Sequence, residues 1–356
     1  MMQREDTSST KSASDGIRLD PRLHISGLGA NLEQLSAEQN ILVRALENSL
    51  DGTAEKLVNE DYLSDSIYVN HLIARDWDVA KATKMILAAL QWRMKRPCHR
   101  WLLQPPPSAS LAAPASSVAA VAPLLKHDEE RERRFREEGA TGKIRVTGLD
   151  RHGRSVMVFD NSRENTVDPD SQMEHLAYNM ELCRRTAALD PQHRRADKTM
   201  LVMHMKDFSI FNQPPMSVTK ETVTILGTAF PESLGTCVIL DPPPYFKVFW
   251  ALVSPLIDPK TRSKVYLMSG DLGPGSPNDG LLNELIGPSW QELTGAGGAG
   301  VVASAFSPKH KKLVPCSPGF DPLQYWPSVL EREGAFAALV HQQLHEQQQQ
   351  QQQKLQ

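Results

Sequence analysis

Cysteine is scarce in this chain. Four cysteines in 356 residues (Cys98, Cys183, Cys237 and Cys316) are widely scattered, with no C-x-x-C pair. That excludes a dense disulfide framework and reads as free thiols in a reducing compartment. An excess of either charge is also missing. The 39 Lys and Arg against 42 Asp and Glu leave a formal net charge of −3, and no nucleic-acid-binding signature accompanies them, so nucleic acid is not an expected partner. The opening residues, Met1-Met-Gln-Arg-Glu-Asp6, lack the apolar core of a secretory signal. These absences predict a cytoplasmic location.

Catalytic motifs are absent as well. There is no G-x-S-x-G elbow, no Walker lysine loop and no H-E-x-x-H. Gly270-Asp-Leu-Gly-Pro-Gly-Ser276 lacks the Gly-Lys-Ser/Thr end of a phosphate loop, and Cys183 would need arginine at Leu189 to resemble a phosphatase loop. His341 and His345 are four residues apart on a helical stretch, but without further ligands they read as an exposed pair rather than a metal site. The expectation is no enzyme, no catalytic residue, no metal and no cofactor beyond a bound ligand.

What is present is organised in blocks. Residues 1–34 are polar and aperiodic and read as disordered. Residues 35–101 carry helical patterns. Ser36 to Gln39 is a capping box, a second helix is predicted near 64–73, and a third over 78–95 has Val79, Ala82, Met85, Ile86, Ala89 and Leu90 on one stripe. Residues 102–123 form a linker or insertion, almost all Pro, Ala and Ser from 104 on. The charged run Asp128 to Glu138 predicts an exposed helix with Glu129–Arg133, Glu130–Arg134 and Glu132–Arg136 pairs, each worth about 0.2–0.5 kcal/mol. Strand-like runs at 143–147, 155–160, 199–205, 236–240 and 265–268 alternate with helical ones, which predicts an α/β sheet. The tail, 302–356, has one predicted helix (327–346) and a glutamine tract at 347–353.

The densest signal lies at 229–268. A polar turn (Pro231, Glu232, Ser233, Gly235) leads into the strand Thr236–Leu240, then a proline break at Pro242–Pro244. Tyr245 to Val253 is apolar nearly all round, Pro255 stops it, and Asp258-Pro-Lys-Thr-Arg-Ser-Lys264 opens the strand Val265–Met268. A helix apolar on every side is buried or touches something greasy, and this one is far too short to span a bilayer.

That order of features resembles the CRAL-TRIO family, and more closely its phosphatidylinositol/phosphatidylcholine transfer proteins. The resemblance runs from residue 35 to 300, and the string LIARDWDVAKATKMILAALQWR is similar to the family's preceding helical module. It implies an α/β CRAL-TRIO lipid-binding fold over 124–301, with a five-stranded mixed, mostly parallel sheet flanked by helices, preceded by a small all-helical module.

The resemblance also implies a function and a site. The chain would be a phospholipid carrier, with phosphatidylinositol as ligand and a membrane surface as transient partner, so that its location is cytoplasmic with reversible peripheral attachment. It implies no particular protein partner. The family's headgroup site falls on Arg75, Glu232, Thr261 and Lys264, and Ser155 stands at its rim where the family has proline. Tyr245, Phe246, Phe249, Trp250 and Leu252 would form the tail cavity and its gate. Thr199 and Leu201 stand where dual-specificity members have two hydroxyls, so phosphatidylinositol is the better supported ligand. His204 replaces an aspartate and reads as structural. Two other readings stay open: a carrier of a tocopherol, retinoid or sterol, and a lipid-regulated scaffold.

Overall fold

The computed structural model describes residues 35–59, 62–96, 129–161, 168–189, 198–205, 208 and 214–294, with scattered helical positions between 329 and 349. The expectations for 1–34, the 104–123 stretch, Cys98, Cys316 and the His341–His345 pair lie outside these residues.

The N-terminal helices are α1 (Ala37–Asn48), α2 (Ala54–Val58), α3 (Asp65–Ile73) and α4 (Val79–Lys95). Helix α1 starts at the expected capping box, with Gln39 N donating to Ser36 Oγ at 3.1 Å and Ser36 N donating to Gln39 Oε1 at 2.9 Å. Asp78 caps α4 by accepting from Lys81 N at 3.0 Å. The predicted stripe of α4 is the one that is buried, from Ala82 to Leu90.

The remaining elements are α5 (Glu129–Ala140), β1 (Ile144–Leu149), β2 (Ser155–Asp160), α6 (Pro169–Ala188), β3 (Thr199–His204), α7 (Met216–Thr228), β4 (Leu234–Leu240), α8 (Phe246–Val253), α9 (Pro259–Arg262), β5 (Val265–Met268), α10 (Pro277–Leu285) and α11 (Trp290–Thr294). The strands form one sheet in the order β1-β2-β3-β4-β5. β1 is antiparallel to β2, and every later pairing is parallel. Local chemistry accounts for the difference. The β1–β2 hairpin turns at Gly153 (φ 73°), and Asp150 Oδ1 accepts from His152 N and Arg154 N at 2.8 and 2.9 Å. The later strands are separated by helices, and parallel pairing needs such crossovers.

Side chains alternate between the two faces of the sheet, and both faces are apolar. Val156, Val158, Met200, Val202, Val238 and Leu240 pack under Leu282, Leu285 and Trp290 of α10 and α11. Met157, Leu201, Cys237 and Ile239 face the larger cluster that includes α6, α7, α8 and the N-terminal helices.

Helix α5 corrects the expectation of a solvated charged surface. Phe135 is fully buried, with its ring edge-on to His175 and Tyr178 at 5.6 Å. Glu138 is buried and pairs with Lys143 at 2.7 Å, and Arg131 pairs with the buried Glu174 of α6. Of the expected pairs, Glu130–Arg134 forms at 3.7 Å, and the side chains of Glu132 and Arg136 lie outside those described. Arg133 instead takes Glu130 at 2.6 Å and also Glu137. A single phenylalanine in a charged run is enough to dock this helix, because its charged neighbours find buried partners.

The N-terminal helices are joined to the sheet by buried polar contacts. Arg93 of α4, fully buried, pairs with Glu181 of α6 and donates to Asn59 Oδ1 at 3.2 Å. Its guanidinium lies 4.1 Å from the Tyr62 ring centroid, and Tyr62 Oη donates to the Ala229 carbonyl. Removing one partner of a buried pair strands the other charge. Glu181→Ala is therefore expected to cost about 3–5 kcal/mol, whereas Arg133→Ala on the surface should cost less than about 1 kcal/mol. Urea unfolding measures both, and equal losses would contradict this placement.

Candidate functional site

Two adjoining cavities lie on the face of the sheet that α8 covers. The first, of about 580 Å³, is lined by Arg75, Asp76, Glu232, Lys260, Thr261 and Lys264 among others. It sits at the starting edge of the parallel strands, since Glu232 precedes β4 and Lys264 precedes β5. The second, of about 220 Å³, is enclosed by the sheet, α6, α7 and the Phe246, Phe249 and Trp250 side of α8. Leu201, Val223, Leu226, Leu234, Ile257 and Thr261 wall both. One end of the joint space is therefore polar and the other apolar.

Local structure explains several of the motif residues. Asp258 Oδ1 accepts from Thr261 N at 2.8 Å, and Pro259 occupies the first position of α9, so part of the D-P-x-T signature is a helix start. Gly235 sits at a close approach: a Cβ there would meet Arg154 Cδ, Arg154 Nη1 and Lys198 Cβ at 3.2 Å, so those side chains would have to give way slightly. Glu232 (φ 57°) and Asp76 (φ 51°), with Trp77 (φ 63°) beside it, are left-handed residues other than glycine at the rim of the polar cavity. Each costs on the order of 1–3 kcal/mol, and such strain gathers at functional sites.

In the polar cavity, which Asp76 and Asp258 also line, cations gather around the Glu232 carboxylate. Lys260 Nζ bonds both oxygens of Glu232 at 3.0 and 3.1 Å. Lys198 Nζ lies 3.9 Å from Glu232 Oε2 and donates to the Glu232 carbonyl. Lys264 is buried, and Nζ donates to Leu234 O at 2.8 Å. Burial pushes the Lys264 pKa down to about 8; Glu232 opposes the fall, while Lys198 and Lys260 add to it. Arg75 Nη1 donates to the Ala74 carbonyl at 2.7 Å. Cationic donors suit a phosphate, and a carboxylate suits hydroxyls.

The structure thus brings Arg75, Glu232, Thr261 and Lys264 to one cavity. Ser155 is not among its lining residues: it is fully buried, and its hydroxyl donates to Cys183 O at 2.5 Å. Thr199 and Leu201 do line it. His204 Nε2 meets Thr294 O at 2.9 Å, and burial lowers the His204 pKa. Phe246, Phe249 and Trp250 line the apolar chamber, whereas Tyr245 and Leu252 do not. Tyr245 Oη donates to Phe208 O. Leu252 is 61% exposed and Val248 66%, so α8 is apolar toward the chamber and, apart from the exposed Lys247, largely apolar toward solvent. Lys198 and Lys260 escaped the sequence reading; Lys260 stands at the variable position of D-P-x-T, and its partner Glu232 is 28 residues away. Cys183 and Cys237 are buried free thiols, and burial pushes both pKa values up to about 12.

Residues 139–273 match the family model of the CRAL/TRIO domain. They form a CRAL/TRIO domain. It contains Glu232, Thr261, Lys264 and α8, while Arg75 lies N-terminal to it. The CRAL-TRIO domain-containing protein C23B6.04c of Schizosaccharomyces pombe is 28% identical over 57% of this chain and 17% of its own length. Phosphatidylinositol transfer protein PDR17 of Saccharomyces cerevisiae is 25% identical over 70% of this chain and 71% of its own. The match thus spans a small part of the first relative and most of the second. The crystal structure of Sfh5 aligns with a TM-score of 0.44 and 13% identity, over 65% of this chain and 80% of that one. A likeness that slight adds nothing to the sheet topology itself.

The depressed Lys264 pKa has a signed consequence. The unfolded chain keeps that proton to about pH 10.5, while the folded protein releases it near 8. Across that window the unfolded state binds more protons, so stability rises with pH relative to a Lys264→Met variant. Below pH 8 the difference between the two proteins should be constant. Urea unfolding of both from pH 7 to 10 tests this, and parallel curves throughout would contradict the buried, charged state of Lys264.

Proposed function

We propose that this protein binds phosphatidylinositol and carries or presents it between membranes, with the headgroup in the polar cavity and the acyl chains in the chamber under α8. The observation that carries the reading is the meeting of Arg75, Glu232, Thr261 and Lys264 in a polar cavity that shares a wall with an apolar one. The 25% identity to a protein named for phosphatidylinositol transfer points the same way.

The division of labour follows from the chemistry. Arg75, Lys264 and the Thr261 hydroxyl supply donors to the phosphodiester. Glu232 accepts from inositol hydroxyls, and its contacts with Lys260 loosen or are shared when they arrive. The two acyl chains have about 30 methylenes, and burying them at roughly 0.8 kcal/mol each offsets some ~25 kcal/mol of exposure to water. Helix α8 acts as the gate. Its inner side seals the chamber, and its outer side, with Val248 and Leu252, meets the bilayer when it opens. The helical module (35–101) and the lipid-binding domain (124–301) work as one unit, because Arg75 comes from the first and the other three residues from the second. Among the described residues no helix is long and apolar enough to cross a membrane, which suits peripheral, reversible attachment from the cytoplasm. No covalent step is involved.

Charge-assisted hydrogen bonds are worth about 1.5–3 kcal/mol. Lys264→Ala is expected to lower vesicle-to-vesicle phosphatidylinositol transfer by about tenfold or more, with an unchanged circular dichroism spectrum. Full transfer by a folded variant would remove Lys264 from the headgroup site. A double change on the outer side of α8, Val248→Ser with Leu252→Ser, should slow transfer while leaving the bound lipid in place. Loss of bound lipid with transfer unaffected would reverse the assignment of the two sides.

A further inference from the structure

Exposed apolar side chains are concentrated in one stretch of the chain. Among the described residues seven large apolar side chains are exposed, and five of them (Tyr245, Val248, Leu252, Leu256 and Leu267) belong to α8, the turn after it and β5. Scattered singly such residues need no explanation, but grouped ones mark a contact surface. Val248 and Leu252 are one turn apart on the outer side of α8, and Leu256 extends the apolar run beyond the helix, past the exposed Pro255.

The charges around this stretch are nearly all of one sign. Asp258 is the one acid between Tyr245 and Met268, against Lys247, Lys260, Arg262 and Lys264. Lys264 is buried, which leaves three exposed cations. The Asp258 carboxylate is already engaged, accepting from Thr261 N at 2.8 Å. Lys247 is the neighbour of Val248, and Arg262 Nη1 lies 3.5 Å from the Ser254 carbonyl at the end of α8. Cations therefore bracket the exposed leucines and valine, in a chain whose net charge is −3.

Leu256 indicates which partner fits. It is 45% exposed and also lines the polar cavity, as Asp258 and Lys260 do. The exposed patch thus borders the rim of the cavity assigned to the headgroup, where a lipid has to enter and leave. A bilayer offers hydrocarbon to Val248, Leu252 and Leu256. Zwitterionic headgroups offset their own phosphate, so net negative charge for Lys247, Lys260 and Arg262 comes from anionic lipids alone.

We propose that the surface formed by α8 and α9 docks on bilayers rich in anionic lipid and discriminates against neutral ones, with Lys247, Lys260 and Arg262 as the discriminating charges. The inference rests on the reading of α8 as the side that meets the membrane, and it adds the class of membrane that is met. Each cation near an anionic surface strengthens partition by about fivefold.

Sedimentation of the full-length protein with vesicles that contain no phosphatidylinositol reads docking apart from the headgroup site. The wild type should partition at least about tenfold more strongly onto phosphatidylcholine containing a third phosphatidylserine than onto phosphatidylcholine alone, and raised salt should shrink the difference. Lys247→Glu with Arg262→Glu should weaken binding to the anionic vesicles by about tenfold or more and leave binding to the neutral ones unchanged. Both side chains are exposed, so the variant should fold. Lys260 stays in place because it also holds Glu232. Lys84→Glu with Arg151→Glu, exposed residues of α4 and of the β1–β2 turn, changes the net charge equally and should bind like the wild type. Equal partition of the wild type onto the two vesicles, binding to neither, or equal losses in the two double variants would overturn the inference. So would a dimer in sedimentation velocity that binds no vesicle, since a second copy would then cover the patch. Native mass spectrometry reads phosphatidylinositol uptake separately. Docking on anionic vesicles without that uptake would remove the headgroup reading and uphold the membrane preference.

Discussion

Helix α8 closes an apolar chamber with Phe246, Phe249 and Trp250 while it holds Val248 and Leu252 out toward water, and this two-sided apolar character constrains everything around it. In an ordinary globular protein the outer side of such a short helix would be polar, because exposed leucine and valine gain nothing from water. Here neither side can be made polar without loss. A polar inner side would wet the chamber, and a polar outer side would remove the bilayer contact proposed for it. The other face of the sheet shows what a filled layer looks like, with Leu282, Leu285 and Trp290 packed onto Val156, Met200 and Val238. The face under α8 keeps space instead.

The polar end depends on contacts far from it in sequence. Arg75 belongs to the N-terminal helices, and it reaches the cavity because those helices dock on α6 and on the end of α7. The Arg93–Glu181 pair holds the first contact. The second is held by Tyr62 Oη on the Ala229 carbonyl and His71 Nε2 at 3.2 Å from the Thr228 carbonyl. Thr228 and Ala229 lie immediately before the Phe230-Pro231-Glu232 turn, so the same helices that supply Arg75 also steady Glu232. Burial pushes the His71 pKa down to about 4, and the neutral ring carries one N–H, to be accepted by either the Ile67 or the Thr228 carbonyl. The polar cavity is in this sense a product of the interface between the N-terminal helices and the sheet domain.

Much of the fold was legible because its signals are local. β2 and β5 begin and end where the residue patterns place them, and α8 starts one residue later than its apolar run. Prolines at 242–244 and 255 mark its limits, and the Ser36 capping box and the Gly153 turn are chemistry within a few residues. That Arg75, Glu232, Thr261 and Lys264 line one cavity was expected through resemblance rather than spacing; nothing local ties Arg75 to Lys264. Other features depend on distant partners and were not readable. The inner side of α5 rests on Phe135 meeting His175 and Tyr178. The place of Lys260 depends on Glu232, and Ser155 turns inward to Cys183 O. A helix that is apolar all round has no preferred side in its sequence, which is why Tyr245 and Leu252 could not be told from Phe249.

The central claim is that the joint polar and apolar cavity holds a phosphatidylinositol molecule. Native mass spectrometry of the purified full-length protein, followed by lipid extraction, tests it most directly. One phosphatidylinositol per chain, retained through purification or taken up from vesicles, is the expected result. A protein that carries a different hydrophobe, or stays empty when offered phosphatidylinositol, would contradict it.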